Sequence, residues 1–446
     1  MNVVIAGAGA VGIYLAKMLV DNDHNVTIID KDKERLRIAE SHIDLMTVKG
    51  SSSLISILDQ AEVNKADLLI AVTSDYDVNF LTCILGKKLG AKTTIARIDD
   101  AEYLIPSEQE VYRNIGVDTM IYPERIAALE IVALLKQTGA TETFDFSQGK
   151  LSLLQLRIDE NALVLHKTLH EIIEQEKSLD FRAVAIKRGA QTIMPTGTDV
   201  FLPGDQVYVI TKKEKIHRLM EISGVKPFSI SNIMIVGGTK IGKRTAIELE
   251  DRFNIKLIDK TMEVCEELAS ELKNTLVINA DGTDIEMLKD EGLSRMDAFI
   301  AVTDNTELNI FSCLLAKRNG VKRTIALIED IEFIELSQNI GVDTIINKKL
   351  IAASYIHQFT LDAEITSSKC LNGVEADVFE LIAKPNSRIT KKKIKNLHFP
   401  KGVIIGGLVR ENESFIVTGD TQVEVDDHVV VFALPALINQ IERFFH

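Results

Sequence analysis

The chain repeats itself. Ile233-Met234-Ile235-Val236-Gly237-Gly238-Thr239-Lys240-Ile241-Gly242 restates Val3 to Gly12, Lys256 to Asp259 restates Thr27 to Asp30, and Asp297 to Thr303 restates Asp67 to Thr73. Asn309 matches Asn79, Cys313 matches Cys83, and Asn339 to Thr344 repeats Asn114 to Thr119. The end of the chain, Val417-Thr418-Gly419 with Asp426 to Phe432, echoes Pro195 to Ile210. An internal repeat of this length constrains the architecture more than any single motif does. At 446 residues the chain is also too long for one core. The repeat divides it into residues 1–138 and 231–360, expected as Rossmann-like domains, and residues 143–228 and 365–446, expected as small α+β domains. The fold class is therefore α/β: a tandem duplication of a doubly wound parallel sheet, each copy followed by a small α+β domain.

The first forty residues carry the clearest chemistry. An apolar strand, Val3 to Ala6, runs directly into Gly7-Ala8-Gly9-Ala10-Val11-Gly12, a helix follows, and a second strand ends at Asp30-Lys31. In a G-x-G-x-x-G turn the first glycine permits the tight bend and the second lets a pyrophosphate approach the backbone. The third lets helix and strand pack closely, and the helix N-terminus offers unpaired N–H groups to phosphate. Asp30 stands where an acid accepts hydrogen bonds from an adenosine ribose. The alternative is a turn that keeps its glycines for packing alone.

Strands and helices then alternate, as a parallel sheet requires. A helix is expected over Lys31 to Glu40, strands over Ile43 to Val48, Leu68 to Val72 and Thr93 to Ile98, and a helix from Thr73-Ser74-Asp75 to about Leu89. Ligands bind such sheets at the carboxyl ends of the strands. Gly7 to Gly12, Asp30, Gly50-Ser51, Val72-Thr73-Ser74 and Arg97 all fall there, with Asn79 close behind. From about Phe144 the pattern changes: Leu151 to Ile158 and Asp205 to Ile210 alternate apolar and polar residues, with a helix near Thr168 to Gln175 and a strand over Arg182 to Lys187 between them. An amphipathic stretch, Glu214 to Ile222, closes the module.

The two copies differ where chemistry would show. Thr239 replaces the middle glycine and crowds a pyrophosphate; Leu327 replaces Arg97 and removes a phosphate donor. Asp259 and Thr303 keep the places of Asp30 and Thr73. Asp281, in Ala280-Asp281-Gly282-Thr283, could bond an adenine or ribose, or cap a helix. The first site reads as the competent dinucleotide site and the second as weakened.

Several function classes are disfavoured. A net charge of −14 argues against nucleic acid as the main partner and disfavours passive adsorption to anionic lipid. Cys83, Cys265, Cys313 and Cys370 are scattered, which fits reduced thiols. Met1 leads straight into a strand, leaving no signal peptide, and no apolar run is long enough to span a bilayer. The main rival is an NAD-dependent oxidoreductase. Tyr208-Val209-Ile210-Thr211-Lys212 spells Y-x-x-x-K, but on a strand the two side chains stand too far apart to cooperate. His166 and His170 lack the carboxylates of a metal site, and Ser51-Ser52-Ser53 lacks the elbow of a nucleophile. Asp99, Asp100 and Glu102 read as solvated carboxylates. Lys391-Lys392-Lys393-Ile394-Lys395 reads as a solvated loop, with contact to lipid headgroups or a membrane partner as the minority reading.

With both halves in view, the chain resembles the Trk-type potassium-uptake regulatory subunits. These are tandem RCK (also called KTN) proteins, each half a nucleotide-binding domain followed by a TrkA-C domain. The resemblance spans essentially the whole chain. It rests on the Gly7 to Gly12 turn with Asp30, on Ala71 to Asp75 with Asn79, on Arg97, and on Pro203-Gly204-Asp205-Gln206-Val207, in duplicate order. It implies a non-enzymatic cytoplasmic ring, a homotetramer, held at the inner face of the cell membrane by a potassium-translocating TrkH/TrkG-like subunit. It further implies that NAD(H) or ATP/ADP shifts that partner's open probability. Ala10 stands where some relatives carry a phosphate-sensing arginine, which tilts the first site toward NAD(H). The helices Pro123 to Lys136 and Lys349 to Phe359 either make the contacts between chains or bury their apolar faces inside one chain.

Overall fold

The computed structural model describes all residues except 137–141, 177–178, 190, 226–227, 358, 360–364, 372–373, 375, 435–436 and 446. The first Rossmann copy consists of β1 (Asn2–Ala6), α1 (Ala10–Asp21), β2 (Asn25–Asp30), α2 (Lys33–His42), β3 (Met46–Lys49), α3 (Ile55–Gln60), β4 (Leu68–Ala71), α4 (Tyr76–Leu89), β5 (Thr93–Arg97), α5 (Pro106–Ile115), β6 (Thr119–Ile121) and α6 (Pro123–Lys136). Its strands lie in the order β3-β2-β1-β4-β5-β6, all parallel. The order reverses direction between β1 and β4, which makes that point the ligand crevice of such a sheet. Val4, Ile5, Ile28, Ile29 and Leu68 to Ile70 are buried, as strands covered on both faces must be. The helix after β4 begins at Tyr76, where the Asp75 carboxylate caps it.

The first α+β module follows as β7 (Glu142–Phe146), β8 (Leu151–Arg157), α7 (Leu169–Gln175), β9 (Phe181–Arg188), β10 (Gln191–Ile193), β11 (Gln206–Thr211) and α8 (Ile216–Ile222). Its antiparallel sheet is ordered β10-β9-β11-β8-β7. The second Rossmann copy comprises β12 (Asn232–Val236), α9 (Lys240–Leu249), β13 (Asn254–Asp259), α10 (Met262–Glu271), β14 (Thr275–Asn279), α11 (Ile285–Asp290), β15 (Ala298–Ala301), α12 (Thr306–Arg318), β16 (Arg323–Leu327), α13 (Glu332–Ile340), β17 (Thr344–Ile346) and α14 (Lys348–His357). Its order, β14-β13-β12-β15-β16-β17, reproduces the first. The last module holds β18 (Ile365–Cys370), β19 (Asp377–Ile382), β20 (Val403–Arg410), β21 (Glu413–Ile416), β22 (His428–Ala433) and α15 (Ile438–Phe445), with its sheet ordered β18-β19-β22-β20-β21.

The small sheets depart from the expected alternation: β8 is buried at every position from Leu151 to Leu156. Leu154, Leu156, Val207 and Val209 face α7 and α8 in one core. Leu151, Leu153, Tyr208 and Ile210 face the other way, into a core shared with Val378, Val409 and Phe432 of the second small sheet. The two small sheets thus cover each other, so neither inner face needs polar residues. The buried Glu380 carboxylate ties them at one edge, accepting from Ser367 Oγ at 2.8 Å and from the Ser147 hydroxyl.

By compactness the chain divides into Met1–Ile126 with Lys348–Asp362, and Ala127–Asn347 with Ala363–His446. α14 packs on α1 of the first copy. Its Leu350, Ile351, Ala352, Ala353 and Ile356 are buried, as are Ala127, Ala128, Ile131, Leu134 and Leu135 of α6. Of the two fates expected for these apolar faces, burial inside one chain is the one observed.

Candidate functional site

The phosphate turn is built by exclusion of side chains. Gly7 sits at φ +112°, and a Cβ there would lie 2.9 Å from Thr73 N, where β1 and β4 end side by side. A Cβ on Gly12 would meet Gly7 O at 1.8 Å, which fixes how closely α1 approaches the turn. Gly9 is different: a Cβ there would touch nothing within 4 Å. Gly9 is the N-cap of α1, and no side chain caps that helix. The N–H groups of its first turn, from Ala10, Val11 and Gly12, have no partner within the helix, and the space before them is open. Together with the helix dipole this arrangement suits an anion.

The Asp30 carboxylate braces the turn from the next strand. Oδ2 accepts from Ala8 N at 2.6 Å and Oδ1 from Asp32 N at 2.8 Å, leaving a lone pair on each oxygen for a ligand hydroxyl. Lys31 beside it is exposed. Gly50 N donates to Asp30 O at 2.9 Å, and a Cβ on Gly50 would strike the Ile57 side chain. Ser51 and Ser53 share a hydrogen bond of 2.7 Å, while the buried Ser52 hydroxyl accepts from Thr82 Oγ1 at 2.8 Å.

Asn79 is fully buried and its amide is filled. Oδ1 accepts from Thr73 N (2.9 Å) and Thr73 Oγ1 (2.7 Å), and Nδ2 donates to Thr73 O (3.2 Å) and Arg97 O (3.0 Å). It clamps the end of β4 to the end of β5, and so positions Val72, Thr73 and Ser74 from behind. The Arg97 guanidinium reaches Glu124 Oε1 at 2.5 Å and lies 5.9 Å from the Tyr76 ring centre. Arg97 Nε and Glu124 Oε2 are buried without a hydrogen-bond partner, so this corner has donor and acceptor capacity in reserve. Glu124 was not singled out in the sequence. The signal was available: Lys349 occupies its place in the second copy, just where Leu327 replaces Arg97. Nearby, burial and the Glu124 charge push the Tyr122 hydroxyl up to about 12.

Among the residues expected around the first turn, Asp30 bonds the Ala8 N–H and its carbonyl accepts from Gly50 N, Gly7 lies against Thr73 N, and Asn79 joins Thr73 to Arg97. In the second copy Asp259 and Thr303 hold the places of Asp30 and Thr73. There the Asp259 carboxylate accepts from Gly238 N (2.7 Å) and Thr261 N (2.8 Å), and Asn309 repeats the clamp by bonding Thr303 and Leu327 O. The turn itself is changed. Thr239 is the N-cap of α9; its Oγ1 donates to Val302 O at 2.8 Å and accepts from Gly242 N at 3.3 Å. The protein's own hydroxyl occupies the place left open at Gly9. The Asp281 carboxylate accepts from Thr283 N (2.9 Å) and Thr283 Oγ1 (2.6 Å), bonds that hold it below the usual carboxylate range; Asp284 is the residue that caps α11.

The rival sites come apart. Tyr208 lies in the apolar core between the small sheets, whereas Lys212 pairs with Asp180 at 3.0 Å. His170 packs against Gly197, and among the described residues no group of His, Cys, Asp and Glu could hold a metal ion. Burial pushes the Cys83 and Cys313 thiols far above their ordinary value, making them inert. No described helix is long and apolar enough to cross a membrane.

Fold and site together define a tandem protein with two Rossmann nucleotide-type crevices, one with an open phosphate turn and one capped from within, each copy followed by a small antiparallel module. The TrkA-N domain profile matches residues 3–123 and 233–348, and the TrkA-C domain profile matches residues 153–224 and 378–446. The chain belongs to the TrkA family of Trk-system potassium uptake proteins. It is 33% identical over 449 residues to a Trk system potassium uptake protein TrkA homolog of Archaeoglobus fulgidus, covering 100% of both chains. It is 32% identical to the Trk system potassium uptake protein TrkA of Vibrio alginolyticus, covering 100% of this chain and 98% of that one. Among solved structures, the RCK domain of GsuK has the same fold at 18% identity, with a TM-score of 0.61 over 99% of this chain and 94% of the other. The GsuK channel bound to NAD matches with a TM-score of 0.61 at 17% identity, over 99% and 78%.

Proposed function

We propose that the chain is the nucleotide-responsive regulatory subunit of a Trk-type potassium uptake system. NAD(H) is its ligand, with ATP/ADP as the alternative, and the first crevice is the site. The observation that carries this reading is the contrast between Gly9 and Thr239: the same turn is open in one copy and filled by a hydroxyl in the other. Pyrophosphate lies on the N–H groups of Ala10, Val11 and Gly12, and Asp30 takes the ribose. Thr73, Ser74, Ser51 and Arg97 line the remaining edge, while Asn79 holds that edge in place. GsuK structures carry NAD in one case and ADP in another, which supports nucleotide as the ligand class.

The action is regulatory rather than catalytic. A ligand shifts a conformational equilibrium only by the difference in its affinity for the two states; the corner joining Arg97 to the first turn of α6 lets that difference reach a long helix. The family names imply a membrane potassium-translocating partner, TrkH/TrkG-like, which holds this chain at the inner face of the membrane. The chain acts there as a homotetramer. Val111 and Ile115 on α5, and Leu336 and Ile340 on α13, are exposed apolar residues repeated at matching positions, as contacts between copies require.

Calorimetric titration with NADH, NAD+, ATP and ADP tests the reading, with Asp30→Ala alongside. Saturable binding that weakens in Asp30→Ala, with NADH unconsumed in the presence of a panel of carbonyl compounds, is expected. Steady oxidation of NADH would replace a sensor with an enzyme.

A further inference from the structure

The two small modules share a frame but not a charge. In the first, Leu169 N donates to Asp199 O and His170 N to Gly197 O, each at 3.0 Å. In the second, Ile394 N donates to Thr421 O (3.0 Å) and Lys395 N to Gly419 O (2.9 Å). Arg188 grips Asp205 through two nitrogens, and Arg410 grips Asp427 in the same way. These bonds align residues 159–176 with residues 384–401. The first segment carries five carboxylates, Asp159, Glu160, Glu171, Glu174 and Glu176, against one lysine, Lys167. The second runs from Lys384 to Lys401 with seven Lys and Arg side chains and no carboxylate, in a chain whose net charge is −14. Folding does not require this reversal, since the acidic copy makes the same frame.

The cations are presented outward. Ile389 and Leu397 are buried beneath the segment and anchor it, while Arg388, Lys391, Lys392, Lys393, Lys395 and Lys401 are exposed. Arg388 stacks 4.4 Å from the Phe444 ring centre. Among the described residues Asp420 is the acid engaged: Lys395 Nζ reaches it at 2.7 Å and Lys393 Nζ at 3.3 Å. Lys384, Lys391, Lys392 and Lys401 make no ion pair among the described residues.

We propose that this lysine face is a docking surface for an anionic lipid bilayer. The chemistry favours lipid over a protein partner. A specific protein interface is built on aromatic and arginine anchors in desolvated pockets, whereas the exposed charged side chains of this face are mostly lysines, three of them consecutive. A cluster of this size is the kind that anionic headgroups attract, at about 1 kcal/mol per lysine near the surface. The acidic remainder of the chain is screened beyond roughly 8–10 Å at physiological salt, so it does not cancel the local attraction.

The test is sedimentation of the full chain with vesicles of phosphatidylcholine alone, and with vesicles about one third phosphatidylglycerol. Binding to the anionic vesicles only, weakening with salt, is expected. Lys391→Gln/Lys392→Gln/Lys401→Gln should lower the partition coefficient more than about tenfold, while the charge-matched control Lys88→Gln/Lys167→Gln/Lys213→Gln leaves it within about twofold. Absence of binding to anionic vesicles, or equal binding by the triple variant, overturns the proposal. So does a change in the oligomeric state of the triple variant without lipid, which would make the face a contact between proteins. NADH titration of the same triple variant should match the parent chain. That arm keeps the two readings separable, because the vesicle result does not depend on nucleotide.

Discussion

Arg97 at the end of β5 and Glu124 in the first turn of α6 form an ion pair, with side chains only 18% and 11% exposed. Removing one partner of a withdrawn pair leaves the other charge desolvated, at a cost of up to roughly 3–5 kcal/mol when burial is complete. With this residual exposure, Glu124→Gln is expected to lower unfolding free energy by about 1–3 kcal/mol. It should also tighten nucleotide binding, because the Arg97 charge is then free for phosphate. Arg97→Leu, which copies the second crevice, should destabilise similarly and weaken binding instead. Urea unfolding and calorimetry of both variants check this; the same sign of change in affinity for both would show that Arg97 does not face the ligand.

The turns themselves predict an exchange of properties. Gly9 (φ −75°, ψ −178°) and Thr239 (φ −68°, ψ 170°) have nearly the same backbone conformation, so each residue fits the other's place. Gly9→Thr installs the internal cap, which should hold or raise stability by a few tenths of a kcal/mol while abolishing NADH binding. Thr239→Gly should cost a similar few tenths and open the second helix N-terminus. A fully active Gly9→Thr protein would remove the open turn as the basis of binding.

Much of this was legible in the sequence for physical reasons. Parallel strands buried on both faces write themselves as continuous apolar runs such as Leu68 to Val72. The glycine turn is defined by residues adjacent in the chain. Contacts between distant segments were not legible. β8 reads as half-exposed because nothing near Leu151 or Leu153 announces that Val409 and Phe432 will cover them. The apolar faces of α6 and α14 likewise could not declare their partners. Asn79 was expected among the binding residues, but only the geometry shows its amide consumed by Thr73 and Arg97. Glu124 was missed because its role depends on Arg97, 27 positions earlier.

The paired clamps allow a test with an internal control. Asn79→Ala removes an amide whose four bonds join two strand ends, and Asn309→Ala does the same in the other copy. Each should cost about 2–4 kcal/mol, since buried backbone groups lose their partners. Only Asn79→Ala should also weaken NADH binding, because Thr73 and Ser74 lose their support. Equal loss of affinity in both variants would mean that global destabilisation, rather than the loop, governs binding.

Acid sensitivity follows from carboxylates held low by hydrogen bonds. Thr196 N–H and Oγ1 lower Asp199, the Thr283 hydroxyl and N–H lower Asp281, and Lys92 with the Asn2 N–H lowers Asp67. Each folded-state value lies below the ordinary 3.8, so the unfolded chain takes up protons first as pH falls. Their stabilisation is complete above that value and lost as pH drops through the folded ones. The urea midpoint should therefore be flat with respect to these groups near neutrality and fall below about pH 4. Thr196→Val and Thr283→Val together should make that fall shallower without abolishing it, because Asp199 and Asp281 each lose a hydroxyl donor and keep the backbone N–H bond. An unchanged acid slope in the double variant would show that other carboxylates carry it.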